Sequence, residues 1–245
     1  MDIILYNISL AIFCLIIGYG FGSIPSGVWI GRLIFKQDPR DFGSRNSGGT
    51  NASRLWGFKY GFFVYLSDFL KVAIPLWSVW AFLTFVNIHG APLIPTTAEL
   101  LSGDTAGHIC QWPVYWLVSF GAVLGHCHPL YAQFQGGKAA SIVFSTAIFT
   151  SWFVGIVSAF GFFVSLKIKK YISLSSMIGS TLGSIAAWLT CIPRFNRYVM
   201  YGQTLAPGYV FAIVMTLSTI LLIFRHRTNI TRLKSKTERK ITFLK

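Results

Sequence analysis

The chain has 245 residues, 53% of them hydrophobic and 11% charged, with a mean hydropathy of +0.59. An average soluble domain is roughly 25% charged, so this composition excludes a soluble globular protein and describes an integral membrane protein. A net charge of +14 would raise nucleic acid as a partner in a soluble chain, but here the basic residues flank apolar stretches, and no nucleic-acid partner is expected.

Met1 to Asn7 contain no Lys or Arg, so the basic start of a cleaved signal peptide is missing and the first apolar segment is expected to be retained. Apolar stretches of spanning length run over about 3–35, 60–86, 112–131, 172–192 and 207–224, with an ambiguous one at 139–166. The first carries Gly18, Gly22, Gly27 and Gly31, two G-x-x-x-G pairs that allow close helix approach. The second holds Asp68 and Lys71 on one helix face. They are either a structural ion pair near its inner end or a charge held near a substrate.

Basic residues crowd the segment after the first span (Arg32, Lys36, Arg40, Arg45, Arg54, Lys59), the link at Lys138, the link at Lys167, Lys169 and Lys170, and the tail from Arg225. Residues 87–111 contain only Glu99 and Asp104 among charged side chains of the four strongly ionised types. The positive-inside rule puts the basic links in the cytoplasm and 87–111 outside, with Arg194 and Arg197 as exceptions in a predicted outer loop. Lys138 and Lys167 then share one side, so 139–166 crosses an even number of times. At 1.5 Å per residue it reaches about 42 Å, too short for two full crossings of a roughly 30 Å core. Two short helices turning near Thr150 and Ser151 satisfy both conditions. The fold expected is all-α, with seven transmembrane helices, two of them short, the N-terminus outside and the C-terminus cytoplasmic. Residues 1–245 form one polytopic domain ending in a basic cytoplasmic tail from about 226 to 245.

Three polar segments interrupt this apolar background: Gly43 to Arg54, Gly136-Gly137-Lys138, and Arg225-His226-Arg227-Thr228-Asn229. Each combines backbone N–H groups with cationic side chains, the chemistry that holds phosphate. In the first, three Gly and four Ser/Thr residues favour a tight loop with convergent N–H groups, and Arg45 and Arg54 suit bidentate phosphate contact. A plain connecting loop is the alternative. In the second, two glycines and Lys138 at a helix start combine dipole, open N–H groups and an ammonium. In the third, His226 and Asn229 stand one helical turn apart and can bond a single ligand, unless they are solvated members of a basic juxtamembrane tail. Arg232, Lys234, Lys236, Arg239, Lys240 and Lys245 beyond it read as attraction to anionic headgroups.

Other chemistries find no support. His126 and His128 lack a third ligand, and Cys14, Cys110, Cys127 and Cys191 are scattered, so neither a metal site, a zinc site nor a disulfide framework is indicated. Walker A, G-x-S-x-G and H-x-x-x-x-D patterns are absent, which disfavours phosphate-loop nucleotidases, serine hydrolases and the soluble-type glycerolipid acyltransferases.

The chain resembles the bacterial acyl-phosphate-dependent glycerol-3-phosphate acyltransferases in collinear segments: Gly22-Ser23-Ile24-Pro25-Ser26-Gly27, Gly43 to Asn51, Ser67-Asp68-Phe69-Leu70-Lys71, Gly125-His126, Phe134 to Lys138, Lys170 to Ser176 and His226-Arg227-Thr228-Asn229. The resemblance implies a seven-helix enzyme of the bacterial inner membrane that moves a fatty acyl group from acyl phosphate to the 1-position of glycerol 3-phosphate. It implies no metal, no coenzyme A and no other cofactor, and we expect a monomer among membrane lipids. Ser44 and Asn46, with Gly43 and Gly48, resemble the loop that holds acyl phosphate. Arg54, Lys138, Ser173, His226 and Asn229 resemble the glycerol-3-phosphate site, with Glu238 matching an acidic residue of the family's tail. Thr50, Asn51, Gly136 and Gly137 are further substrate-binding candidates, and Ser44, Lys138, His226 and Asn229 are the catalytic ones. Arg45 and Ala139 stand where the family has Gly, Gly49 where it has Ala, Gln135 where it has Lys, and Thr228 where it has Glu.

An acyl phosphate is already activated, so a cationic site without a catalytic triad fits its transfer. His226 and a substrate phosphate oxygen are both candidates for taking the hydroxyl proton. The alternatives are a transporter or binding protein for a phosphorylated metabolite, or a divergent family member with an altered donor or acceptor. A transporter would place ionisable groups near the bilayer midplane, whereas these lie at one edge.

Overall fold

The computed structural model describes residues 3–88, 91–103, 107, 108, 110, 112–192, 195, 205 and 208–241. Asp104, Arg194 and Arg197, which entered the charge reading, lie outside them. The regular elements of the described residues are helices and one two-stranded hairpin, β1 (Asn87–Ile88) and β2 (Ala91–Pro92). Four helical stretches are long and apolar enough to cross a membrane, and a fifth qualifies if a bent pair counts as one span.

Helix α1 (Ile3–Gly22) stops at Ser23 to Pro25, where proline supplies no N–H. The chain re-enters a helix as α2 (Ser26–Ile30), runs through a π-helical turn at Gly31–Phe35, and ends on Lys36 at φ 53°. The short α3 (Gly49–Trp56) then meets the long α4 (Phe58–Phe85) at Gly57, whose φ of 88° asks for glycine. Beyond the hairpin come α5 (Thr97–Ser102), α6 (Trp116–Cys127), α7 (Ala140–Thr150), α8 (Trp152–Lys169), α9 (Ile172–Leu189), α10 (Tyr209–Arg225) and α11 (Arg227–Lys234). Helices α10 and α11 meet at 57°.

Small residues bring the helices together. A Cβ at Gly18 or Gly22 would strike the α6 backbone at Val118 or Ala122, and one at Gly121 or Gly125 would strike α1 at Leu15 or Tyr19. Glycines on both helices therefore let α1 and α6 touch backbone to backbone. Helices α8 and α9 do the same through Ser158, whose hydroxyl donates to the Gly179 carbonyl at 3.0 Å. Large apolar side chains such as Ile12, Phe63, Phe160 and Ile220 point outward, as a lipid-facing surface requires.

Described residues between α4 and α6 pack at one end of the bundle. Ile94 N–H donates to Leu83 O, and the Cys110 thiol donates to Asn7 Oδ1 at 2.7 Å. The polar segments lie at the other end.

The expectation of two short helices over 139–166 is corrected in one respect. The break falls at Ser151, and α7 has 11 residues, about 16 Å. Helix α8 has 18 residues, about 27 Å, and is of spanning length. Its last turn continues through Lys167 and Lys169, whose aliphatic stems extend an apolar helix while the charged ends stay exposed. The second short helix is instead α6, with 12 residues. The Asp68–Lys71 pair is structural: their contact is 2.8 Å, both are buried, Ser26 accepts from Lys71 at 2.8 Å, and Ser141 donates to Asp68 at 2.5 Å.

Candidate active site

The α10–α11 bend, the segment before α7 and the start of α9 converge on one carboxylate. Lys138 donates from Nζ to Asn229 Oδ1 at 2.6 Å, and Asn229 Nδ2 donates to Glu238 Oε1 at 2.7 Å. The same Oε1 accepts from Ser173 Oγ at 2.7 Å, and Oε2 accepts from Arg232 Nε at 2.9 Å. Burial opposes ionisation of Glu238, but the bonds from Asn229, Ser173 and Arg232 hold its carboxyl below the usual value.

Cations outnumber this carboxylate. Burial brings the Lys138 ammonium down from 10.5 to about 8; Arg232, Arg225 and Arg54 push the same way, and Glu238 opposes them. Arg239 adds its charge beside Arg54, which α3 carries to the rim. His226 is buried within electrostatic reach of Lys138 and Glu238. Its Nδ1 lies 2.8 Å from the Leu222 carbonyl. A carbonyl only accepts, so Nδ1 carries the proton and Nε2 keeps a free lone pair.

The expected group of Arg54, Lys138, Ser173, His226, Asn229 and Glu238 is thus assembled in one place. Arg232 joins it through its bond to Glu238, which corrects its reading as a headgroup anchor; Arg239 is exposed and only within electrostatic reach of Arg54. The tail also departs from a solvated basic strand: it turns at Lys236, φ 59°, inserts Glu238, and returns so that Ile241 N–H donates to Lys170 O at 2.9 Å. Lys240 sits over the Tyr171 ring at 5.6 Å. Without a glycine in 234–241, nothing in the sequence marks this reversal; the clearest signal was a lone Glu among six cations.

The first segment forms its own loop, and several candidates there are organisers. Asn51 is fully buried; its Oδ1 accepts from Ser44 N at 2.9 Å, and its Nδ2 donates to Pro39 O, Phe42 O and Asn46 O. Asn51 therefore shapes the loop, against its expected role in binding substrate. Arg45 N–H donates to Phe42 O, so two N–H groups expected to face a ligand are bonded within the loop. Gly43, φ 62°, leaves room for Asn51, and Thr50 pairs with Tyr65 at 2.5 Å. Gly48 precedes α3 in extended conformation, so Gly49 and Thr50 form its first turn.

The glycines before Lys138 are also corrected. Gly137 N–H donates to His126 O at 2.9 Å, and a Cβ at Gly136 or Gly137 would collide with His126. Both give close packing, and the Gly137 N–H is spent on His126 rather than left open. Arg225 donates to both of their carbonyls, at 3.2 Å each.

A family model described as glycerol-3-phosphate acyltransferase matches residues 12–236. A glycerol-3-phosphate acyltransferase of Listeria monocytogenes serotype 4a (strain HCC23) is 32% identical over 230 residues, covering 94% of this chain and 96% of the relative. Two crystal structures of PlsY (YgiH), an integral membrane glycerol 3-phosphate acyltransferase, are similar over 96% of each chain. The glycerol 3-phosphate form gives a TM-score of 0.68 at 27% identity, and the lysophosphatidic acid form 0.69 at 26%.

Proposed function

This chain belongs to the glycerol-3-phosphate acyltransferase family and is a membrane acyltransferase; we propose that it moves a fatty acyl group from acyl phosphate to the 1-hydroxyl of glycerol 3-phosphate. The products are lysophosphatidic acid and inorganic phosphate. The observation that carries this reading is the row Lys138, Asn229, Glu238 and Ser173, ringed by Arg54, Arg225, Arg232 and Arg239. So many cations around one carboxylate suit a dianionic phosphate monoester. Family membership sets aside the transporter reading.

In this mechanism Lys138, Arg54, Ser173 and Asn229 hold the phosphate of glycerol 3-phosphate. The first loop, with Ser44, Asn46, Gly48 and the first turn of α3, receives the acyl phosphate. The glycerol 1-hydroxyl oxygen attacks the acyl carbonyl carbon. The bond from that carbon to the phosphate oxygen then breaks, and phosphate leaves with the electron pair. The proton passes to His226 Nε2, the nitrogen left free by the Nδ1–Leu222 bond. Holding two anionic substrates together and stabilising the tetrahedral oxyanion supply the rate acceleration.

The same reading gives a single domain over 1–245 that crosses the bacterial inner membrane seven times, with the N-terminus outside and the site on the cytoplasmic face. It acts as a monomer among membrane lipids. Its test is purified protein in detergent with acyl phosphate and glycerol 3-phosphate. Lysophosphatidate and inorganic phosphate should appear in equal amounts, and phosphate release without lysophosphatidate would refute the assignment.

A further inference from the structure

The segment that delivers Lys138 is irregular. Between α6 and α7 it contains one 3-10 turn, Leu130–Ala132, and places Gln133, Phe134 and Ala139 at φ 57°, 58° and 59°. Left-handed backbone at non-glycine residues persists only where surrounding contacts over-determine it. Two arginines from outside the segment supply such contacts at its two ends.

Arg40, from the first polar segment, holds Asp38 through Nε and Nη2 at 2.9 and 2.7 Å. Its Nη1 donates to Ala132 O at 3.0 Å and to Gln135 O at 3.3 Å. The Arg40 bonds on Asp38, opposed by burial, hold that carboxyl down at about 2, so this anchor stays ionised at any working pH. Arg225, at the end of α10, donates from Nε to Gly137 O and from Nη2 to Gly136 O. The carbonyl oxygens of residues 132, 135, 136 and 137 are thus gripped by two planar forks, and the next residue is Lys138.

We propose that Arg40 and Arg225 are positioning residues that clamp the 132–137 backbone and so aim the Lys138 ammonium at the substrate phosphate. This rests on the acyltransferase reading above. The two forks differ in one respect. Arg225 is close enough to bias the protonation of Lys138, whereas the Arg40 charge is offset by the Asp38 carboxylate that it holds through two bonds. Arg40 therefore acts by geometry alone, and Arg225 by geometry and charge.

The test is steady-state acyltransfer by purified full-length protein, with glycerol 3-phosphate and pH both varied, for Arg40→Met, Arg225→Gln and Arg225→Lys. Rates are normalised to folded protein. A displacement of about 1 Å can cost on the order of 10²-fold in rate, so each variant should raise KM for glycerol 3-phosphate and lower kcat/KM at least about tenfold. Arg225→Gln should also move the alkaline limb of the pH profile upward, because a cation beside Lys138 is gone. Arg40→Met and Arg225→Lys should leave that limb in place. Wild-type kinetic constants and an unmoved limb in all the variants that fold would overturn the clamp. So would an Arg40→Met shift of the limb equal to that of Arg225→Gln. An inactive wild-type protein would instead sink the acyltransferase reading, which keeps the two failures distinct.

Discussion

Lys138 and Asn229, 91 residues apart in sequence, meet through a 2.6 Å hydrogen bond that joins the entry to α7 with the bend between α10 and α11. The bond orients an ammonium whose burial would otherwise be unfavourable and presents it beside Ser173 and Glu238.

Removing that ammonium should cost catalysis rather than folding. Losing one partner of a desolvated charge contact is worth about 3 kcal/mol, so Lys138→Ala is expected to lower kcat/KM on the order of 10²-fold with membrane insertion unchanged. Lys240→Ala removes only an exposed contact over the Tyr171 ring, worth about 0.5–1 kcal/mol, and should change kcat/KM less than about threefold. Comparable effects from the two would mean that Lys138 does not touch substrate.

Asn51 should behave in the opposite way. Asn51→Ala strips the partners from Ser44 N, Pro39 O, Phe42 O and Asn46 O in one change. At 1–3 kcal/mol for a buried unsatisfied group, a loss of about 3 kcal/mol in stability is expected. The thermal unfolding midpoint of the detergent-purified protein should fall clearly, whereas a wild-type midpoint with lost activity would return Asn51 to the substrate.

The contrast between these asparagines shows where sequence reading ends. Apolar runs of bilayer length, the Gly18/Gly22 pair on α1 and the break at Ser151 all follow from hydropathy and backbone chemistry, so they were legible; the Gly27/Gly31 pair, expected on the same helix, falls beyond the break at Ser23 to Pro25, in α2 and the π-helical turn. Asn229 was legible as well, through its helical spacing from His226. Asn51 looked like one more donor in a polar loop, because whether an amide faces inward depends on a fold that brings residues 39, 42 and 46 around it. Arg232 was obscured for a similar reason, whereas Glu238 was picked out only through the family resemblance. A run of cations next to a membrane normally answers to headgroups, and only the return of Ile241 to Lys170 turns the strand back into the site.

Two departures from the resembling family coincide with left-handed backbone: Arg45 at φ 55° and Ala139 at φ 59°, both where the family has glycine. The conformation costs an L-residue roughly 1–2 kcal/mol, and glycine gives back part of that in chain entropy. Arg45 is exposed, so little packing is lost on truncation. Arg45→Gly should stabilise the protein by about 0.5–1 kcal/mol, read as a raised unfolding midpoint. A lowered midpoint would mean the guanidinium makes a stabilising contact that outweighs the strain.

Protonation of Lys138 sets an alkaline limit. Because its pKa is depressed to about 8, the cationic form needed for phosphate is complete below that value and lost as pH rises through it. A phosphate monoester becomes singly charged below about pH 6, which sets the acid limit. The kcat/KM for glycerol 3-phosphate should therefore peak between about 6 and 8, with KM rising above 8. An alkaline limb beyond pH 10 would place Lys138 in an ordinary aqueous environment, contrary to its burial.

The most direct measurement of the chemistry itself follows an oxygen label. Glycerol 3-phosphate carrying ¹⁸O at its 1-hydroxyl is incubated with acyl phosphate and the purified protein, and both products are analysed by mass spectrometry. Attack by the hydroxyl on the acyl carbon predicts that the label stays in the ester of lysophosphatidic acid and that the released phosphate is unlabelled. Label lost from the lysophosphatidic acid ester, or no lysophosphatidic acid at all, would contradict acyl transfer by this site.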